Sequence, residues 1–154
     1  MKTSKIMFTI MVAFMFLFFS NIVIAQTDAE NHTHLSSINQ AIMMHTNAIA
    51  SGEAKTKNDQ ITHYNEARKS LAEAKKMHNL LKKVIPEKAK SESVIHHDNI
   101  DKFYASATAH ANLMVEELKI EKPDDTKLKE NARKFHDDIN MAEKENQALI
   151  KDSN

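Results

Sequence analysis

Apolar residues recur at steps of three and four along four segments of the chain, which is the spacing of one face of an α-helix. Lys, Glu and Asn fill many of the positions between them, as on solvated helix faces. The recurring positions are Leu35, Ile38, Ile42, His45 and Ile49; Tyr64, Ala67, Leu71, Ala74, His78, Leu81 and Ile85; Ile100, Phe103, Ala107, His110 and Met114; and Leu128, Ala132, Phe135, Ile139, Ala142 and Leu149. No segment alternates apolar and polar residues over the length of a strand, so the pattern predicts an all-α fold.

Helix-breaking residues separate the four segments. The chain contains one glycine, Gly52, and two prolines, Pro86 and Pro123, and each falls at a joint. Short joints make each helix antiparallel to the one before it, so the simplest architecture is an up-down-up-down four-helix bundle. The alternative is a three-helix domain with a loose N-terminal arm.

Capping signals locate the ends of these helices. Thr27 and Glu30 have the spacing of a capping box, and acidic residues after Pro123 suit the positive end of a helix dipole. The predicted helices run from Thr27 to Ser51-Gly52, from Asn58 or Asp59 to Pro86, from about Ser91 past Met114, and from Asp124 and Asp125 past Leu149.

The N-terminus has the three parts of a secretory signal peptide. Lys2 and Lys5 precede an apolar run at 6–19, and Ala25 precedes the expected cleavage point at Gln26. The apolar run is shorter than the roughly 20 residues that span a bilayer, so a retained signal anchor is the less favoured alternative. We therefore expect 1–25 to be a signal peptide and 26–154 to be one helical-bundle domain, periplasmic or secreted, without stable membrane insertion after cleavage.

The composition of the segment 26–154 excludes several classes of protein. Without Lys2 and Lys5 it has 19 basic and 21 acidic residues, which is no surface for nucleic acid. The absence of cysteine excludes disulfides, thiolate nucleophiles and covalently attached c-type haem. No Glu is followed three residues later by His, as a carboxylate-bridged di-iron bundle requires. We therefore do not expect an enzyme.

All nine histidines lie in the segment 26–154, and their positions suggest two levels of a bundle. Folding the helices back on one another at the joints places one histidine from each helix at a first level: His45, His63, His110 and His136. The same reasoning places the others toward the opposite end: His32, His34, His78, His96 and His97. Each position along a helix is uncertain by three or four residues, about 5 Å.

Converging histidines predict a site for a transition metal, because neutral imidazole binds zinc and copper near neutral pH. Met43, Met44 and Met114 lie near the first level and would favour copper, although methionine at helical spacing is more often core filler. A lone histidine on an apolar face is likewise more often a hydrogen-bonded structural residue. The predicted function is therefore storage, buffering or delivery of zinc or copper.

Two alternatives belong to other classes. One is a non-enzymatic interaction protein of the cell envelope, with a protein partner and no ligand. The other is a b-type haem protein, in which Ala67, Ala107, Ala111 and Ala132 leave room for the macrocycle beside His45 and His110.

Overall fold

Four helices make up the part of the chain that the computed structural model describes, residues 28–83 and 90–152. They are α1 (Asp28–Ala50), α2 (Lys57–Leu81), α3 (Lys90–Lys119) and α4 (Asp125–Asp152). No strand occurs in these two ranges. The all-α prediction is confirmed.

A turn at Gly52 separates α1 from α2, as predicted. Gly52 has φ +82°, the left-handed region that glycine adopts without steric cost. Its N–H donates to Ile49 O at 3.1 Å, and the Ala54 N–H donates to Ala48 O at 2.9 Å, so the turn satisfies carbonyls that the end of α1 leaves free.

The second helix begins one or two residues earlier than predicted because of a capping box at Thr56 and Asp59. The Thr56 hydroxyl accepts from the Asp59 N–H at 3.1 Å, and the Asp59 carboxylate accepts from the Thr56 N–H at 3.1 Å. This reciprocal arrangement sets the first turn at Lys57. The helix ends at Leu81, and the joint predicted at Pro86 lies outside the described residues.

Asp124 caps the last helix directly after Pro123, as predicted. Its carboxylate accepts from the N–H groups of Thr126 and Lys127 at 3.0 and 3.2 Å. The third helix begins at Lys90, one residue before the predicted start. The capping box predicted at Thr27 lies outside the described residues, and so does the whole of the predicted signal peptide, 1–25.

The helices form a ring in which each packs against its neighbours. α1 packs against α2 and α4, and α3 packs against α2 and α4. Within the described residues, the backbones of diagonal helices do not approach each other closely, and only side chains such as Tyr104 and Asn39 meet across the centre. This packing is that of a four-helix bundle, and α1 belongs to it rather than forming a loose arm.

The core is aliphatic and rich in alanine near the Gly52 turn, and polar toward the opposite end. We call that opposite end the distal half; it contains the start of α1, the end of α2, the start of α3 and the end of α4. The buried polar residues of the distal half are His32, Ser36, Asn39, His78, His97, Glu143 and Asn146. Burial of polar groups costs free energy unless they are paired, so these side chains require partners.

None of the helices in the described ranges has an apolar stretch of the length that crossing a bilayer requires.

Candidate metal centre

Three histidines from three helices come together in the distal half. His32 on α1, His78 on α2 and His97 on α3 are 2%, 0% and 2% exposed. They share this half because neighbouring helices are antiparallel. The sequence predicted all three as members of its second histidine level, and we call them the buried histidine cluster.

His78 and His97 are in direct contact. His78 Nε2 lies 2.9 Å from His97 Nδ1, and the two ring centroids are 5.0 Å apart. One of these nitrogens must carry a proton and donate, while the other accepts, because two protonated or two bare nitrogens would repel.

Asp101 determines which tautomer of His78 is favoured. Its Oδ1 lies 3.0 Å from His78 Nδ1, although the ring N–H is not aligned for a hydrogen bond. The same carboxylate contacts Lys82 Nζ. A carboxylate beside Nδ1 favours the proton there, which leaves Nε2 of His78 as an acceptor for His97. Carboxylates commonly orient metal-ligating histidines in this way.

Asn146 on α4 fixes the third ring. Its Nδ2 donates to the His32 backbone oxygen at 2.9 Å, which orients the amide. Its Oδ1 therefore faces His32 Nδ1 at 2.7 Å and accepts from it. In the tautomer that this contact favours, Nδ1 of His32 carries the proton and Nε2 carries a lone pair.

Two members of the cluster, His78 and His97, are neutral near pH 7. Burial lowers the pKa of His78 to about 4, although Asp101 opposes this shift. Burial likewise lowers the pKa of His97 to about 4, and the charges of His78 and His32 lower it further. Because unprotonated imidazole is the form that binds metals, protons do not compete for the nitrogens of His78 and His97 near neutral pH.

The spacing of His78 and His97 is close to that of two ligands on one metal ion. Two nitrogens bound to a tetrahedral zinc ion lie about 3.3 Å apart, with their ring centroids about 5 Å apart. His32 is farther away, with its ring centroid 5.8 Å from that of His97. Among the described residues, no three His, Asp or Glu side chains are already arranged to hold a metal ion. Binding at this cluster therefore requires His32 to approach its neighbours.

Two histidines predicted for the same level lie elsewhere. His34 is exposed on α1. His96 is half-buried, and its Nδ1 contacts Glu145 Oε2 on α4. The prediction of a five-histidine group is corrected to three, because residues 32 and 34, and likewise 96 and 97, point in different directions around a helix.

The first predicted level is divided in the same way. His45 Nδ1 lies 3.0 Å from His63 Nδ1, so these two do meet. On His110, Nδ1 instead lies 3.4 Å from Asn131 Oδ1, and Nε2 lies 3.8 Å from Asp138 Oδ2. His136 Nδ1 donates to the Met43 backbone oxygen at 3.1 Å. The predicted four-histidine layer is thus corrected to one pair and two separately bonded rings.

His45 and His110 were assigned to core positions, but both are only partly buried. Thr46 and Ala111, one residue further along each helix, are buried in their place, at 0% and 3% exposure. Two turns of an α-helix take slightly more than seven residues. A position repeated every seven residues therefore drifts around the helix, and the residue that follows it comes to face the core.

The three methionines predicted near the first histidine level have different surroundings. Met114 is a buried member of the apolar core, and Met44 is 61% exposed. Met43 packs against the same core from its edge.

A buried hydrogen-bond network beside the cluster was missed by the sequence analysis. The Tyr104 hydroxyl donates to Asn39 Oδ1 at 2.8 Å, and Asn39 Nδ2 donates to Glu143 Oε2 at 2.9 Å. Ser36 and Gln147 also donate to Glu143. The Tyr104 ring packs edge-on against the His78 ring, with the two ring centroids 5.8 Å apart, and this contact joins the network to the cluster. The sequence carried one signal of this network, because Ser36 and Asn39 are polar residues three apart on one face of α1.

Comparison of the chain with protein-family models, with curated proteins and with solved structures gave no match. What the protein does must therefore be inferred from its own side chains.

Proposed function

We propose that the protein binds a divalent transition metal ion, zinc or copper, at the buried histidine cluster, for storage, buffering or delivery outside the cytoplasm. The observation that carries the proposal is the 2.9 Å separation of His78 Nε2 and His97 Nδ1, two buried and neutral imidazoles. His32 is the third ligand. Bundles commonly bind ligands in this manner, between side chains of facing helices.

The surroundings of the cluster support metal binding. The Asp101 carboxylate favours a proton on Nδ1 of His78, and Asn146 accepts from Nδ1 of His32, so both rings present Nε2. In metal sites such outer partners fix ring orientation and raise ligand basicity. Three nitrogen ligands suit zinc or Cu(II).

Thermal unfolding with and without Zn(II) or Cu(II) tests the proposal. A bound metal raises the free energy of unfolding by about 2.7 kcal/mol at a free concentration a hundredfold above Kd. The double variant His78→Leu/His97→Leu is expected to lose the part of this stabilisation that the buried histidine cluster contributes, whereas His34→Leu, a change at an exposed histidine, retains it. Equal stabilisation of all three proteins would end the proposal.

A structural role for the cluster makes a different prediction. His97→Gln keeps a polar side chain and removes the aromatic nitrogen ligand. If the cluster serves only to satisfy buried groups, His97→Gln and the wild type respond equally to metal. Under our proposal the variant binds more weakly, while circular dichroism confirms that its helices are intact.

An envelope interaction protein is the second candidate, and a group of exposed apolar side chains favours it. Leu80, Val94 and Ile95 are 44%, 40% and 59% exposed, and they lie where α2 ends and α3 begins. A protein partner would cover them. Failure of metal to stabilise the protein, together with capture of a partner that Ile95→Lys abolishes, would favour this function.

A b-type haem is the third candidate, and it is less favoured. The alanines proposed to leave room for it, Ala67, Ala107, Ala111 and Ala132, are all buried in the packed core. Absorbance of the purified protein in the haem region decides this alternative. None of the three candidates is an enzyme.

We also propose that the protein is exported and begins at Gln26 after cleavage. The basic start, the apolar run at 6–19 and Ala25 support this proposal. N-terminal sequencing of the protein from the cell envelope or medium tests it. Recovery of intact Met1 in a membrane fraction would contradict it.

A further inference from the structure

A second histidine pair lies on the side of the bundle near the Gly52 turn. His45 on α1 and His63 on α2 bring their Nδ1 atoms to 3.0 Å, and their ring centroids are 5.2 Å apart. Both rings are partly exposed. The spacing again matches that of two imidazoles on one tetrahedral ion, about 3.3 Å between nitrogens and about 5 Å between centroids.

A carboxylate accompanies this pair. Glu66 lies one helical turn beyond His63 on α2, and residues three apart are neighbours on a helix surface. Burial and the neighbouring His63 lower the pKa of His45, and the Glu66 carboxylate partly opposes this shift, so its charge acts on the ring across the interface. Two imidazoles and one carboxylate are a common zinc-binding set.

We propose that His45, His63 and Glu66 form a second metal site, which takes a divalent ion of the zinc class. The three side chains are not yet arranged around a common point, so binding requires the exposed Glu66 side chain to turn toward the histidine pair. His45 and His32 are 13 residues apart on α1, which is about 20 Å along the helix. The two sites are therefore separate, and the second does not depend on the first. Its partly exposed ligands give it faster exchange with solvent than the buried histidine cluster has.

The neighbouring histidines have partners of their own, and neither is in contact with the pair by a hydrogen bond that the structure shows. His136 donates its Nδ1 proton to the Met43 backbone oxygen, and His110 faces Asn131 and Asp138. A site made of the pair and Glu66 consequently responds to changes at Glu66 and does not respond to changes at His110 or His136.

Calorimetric titration of the metal-free protein with zinc chloride tests the proposal. We expect His45→Ala/His63→Ala to lose one binding equivalent relative to the wild type. Glu66→Gln is expected to keep that equivalent and to weaken it by about tenfold. The matched control His110→Ala/His136→Ala retains both its stoichiometry and its affinity. Should His45→Ala/His63→Ala disturb the fold, the loss of affinity in Glu66→Gln decides the matter.

The two proposed sites fail in different ways. If only the buried site fails, the wild type binds one equivalent, which His45→Ala/His63→Ala removes and His78→Leu/His97→Leu leaves unchanged. If the second site fails, His45→Ala/His63→Ala and Glu66→Gln bind zinc like the wild type. Loss of the same equivalent in His110→Ala/His136→Ala would also overturn the proposal, in favour of a four-histidine site.

Discussion

His78 Nε2 lies 2.9 Å from His97 Nδ1, and this contact joins α2 to α3 inside the polar half of the bundle. Both rings are buried, so neither nitrogen can turn to water for a substitute partner. In the metal-free protein a single proton links the two nitrogens. A metal ion would take the place of that proton with only a small change in their spacing.

The contact makes the two histidines energetically coupled in the metal-free protein. His97→Leu leaves His78 Nε2 buried without its partner, so we expect the free energy of unfolding to fall by about 1–3 kcal/mol. Adding His78→Leu removes the orphaned nitrogen, and the double variant is expected to lose much less than the sum of the two single losses. Urea unfolding of the four proteins in a chelator measures this. Additive losses would show that the rings are independent.

Stability of the metal-free protein is expected to fall as the pH is lowered from about 6.5 toward 4. His78 and His97 have pKa values of about 4 in the folded state, against 6.5 without burial. Between these values the unfolded chain binds more protons, so acid favours unfolding, by an amount on the order of a few kcal/mol for the pair. Urea unfolding at several pH values is the measurement.

The variant His78→Leu/His97→Leu is the control for this pH dependence, since it lacks both groups. Its stability should change much less between pH 6.5 and 4 than that of the wild type. An identical slope in the two proteins would show that other groups cause the acid sensitivity.

Glu143 is expected to be essential for stability because it is a buried acceptor for three side chains. It is 9% exposed and accepts from Ser36, Asn39 and Gln147. Glu143→Leu leaves buried donors without an acceptor, which lowers the free energy of unfolding by about 1–3 kcal/mol. The exposed Glu130 on the same helix provides the control, and Glu130→Leu changes stability by about 0.5 kcal/mol or less. Similar losses in the two variants would argue against the network.

Gly52→Ala is expected to destabilise the turn between α1 and α2. The residue has φ +82°, where an L side chain costs about 1–2 kcal/mol. An added Cβ would also lie 3.1 Å from Lys129 Nζ, although that flexible end can move. Chemical denaturation compares Gly52→Ala with Ser51→Ala at the neighbouring exposed position. A loss no larger than that of Ser51→Ala would contradict the turn geometry.

The spacing of apolar residues was sufficient to predict the fold. The steps of three and four through Leu35, Ile42 and Ile49, and through Leu128, Phe135 and Ile139, mark faces that are fully buried. Gly52 and Pro123 mark two joints correctly, because each disfavours helix for a local reason. α2 begins before the predicted Asn58 or Asp59 because Thr56 and Asp59 form a capping box.

Only part of the candidate site could be predicted in this way. Fold-back of antiparallel helices identified the level of His32, His78 and His97, and the partnership of His45 with His63. It could not decide which side of a helix a residue faces, because an error of one residue rotates a side chain by about 100°. The partners Asp101 and Asn146, and the network at Glu143, depend on contacts between helices that no local pattern encodes.

The location of a bound metal ion tests the central claim most directly. A crystal of the protein grown with zinc, measured at the zinc absorption edge, gives the ion's position from its anomalous scattering. We expect an anomalous peak about 2.0–2.1 Å from His78 Nε2 and His97 Nδ1, with His32 moved in to complete the ligands. Fully occupied zinc found only elsewhere on the protein, with His78 and His97 still bonded to each other, would contradict the claim.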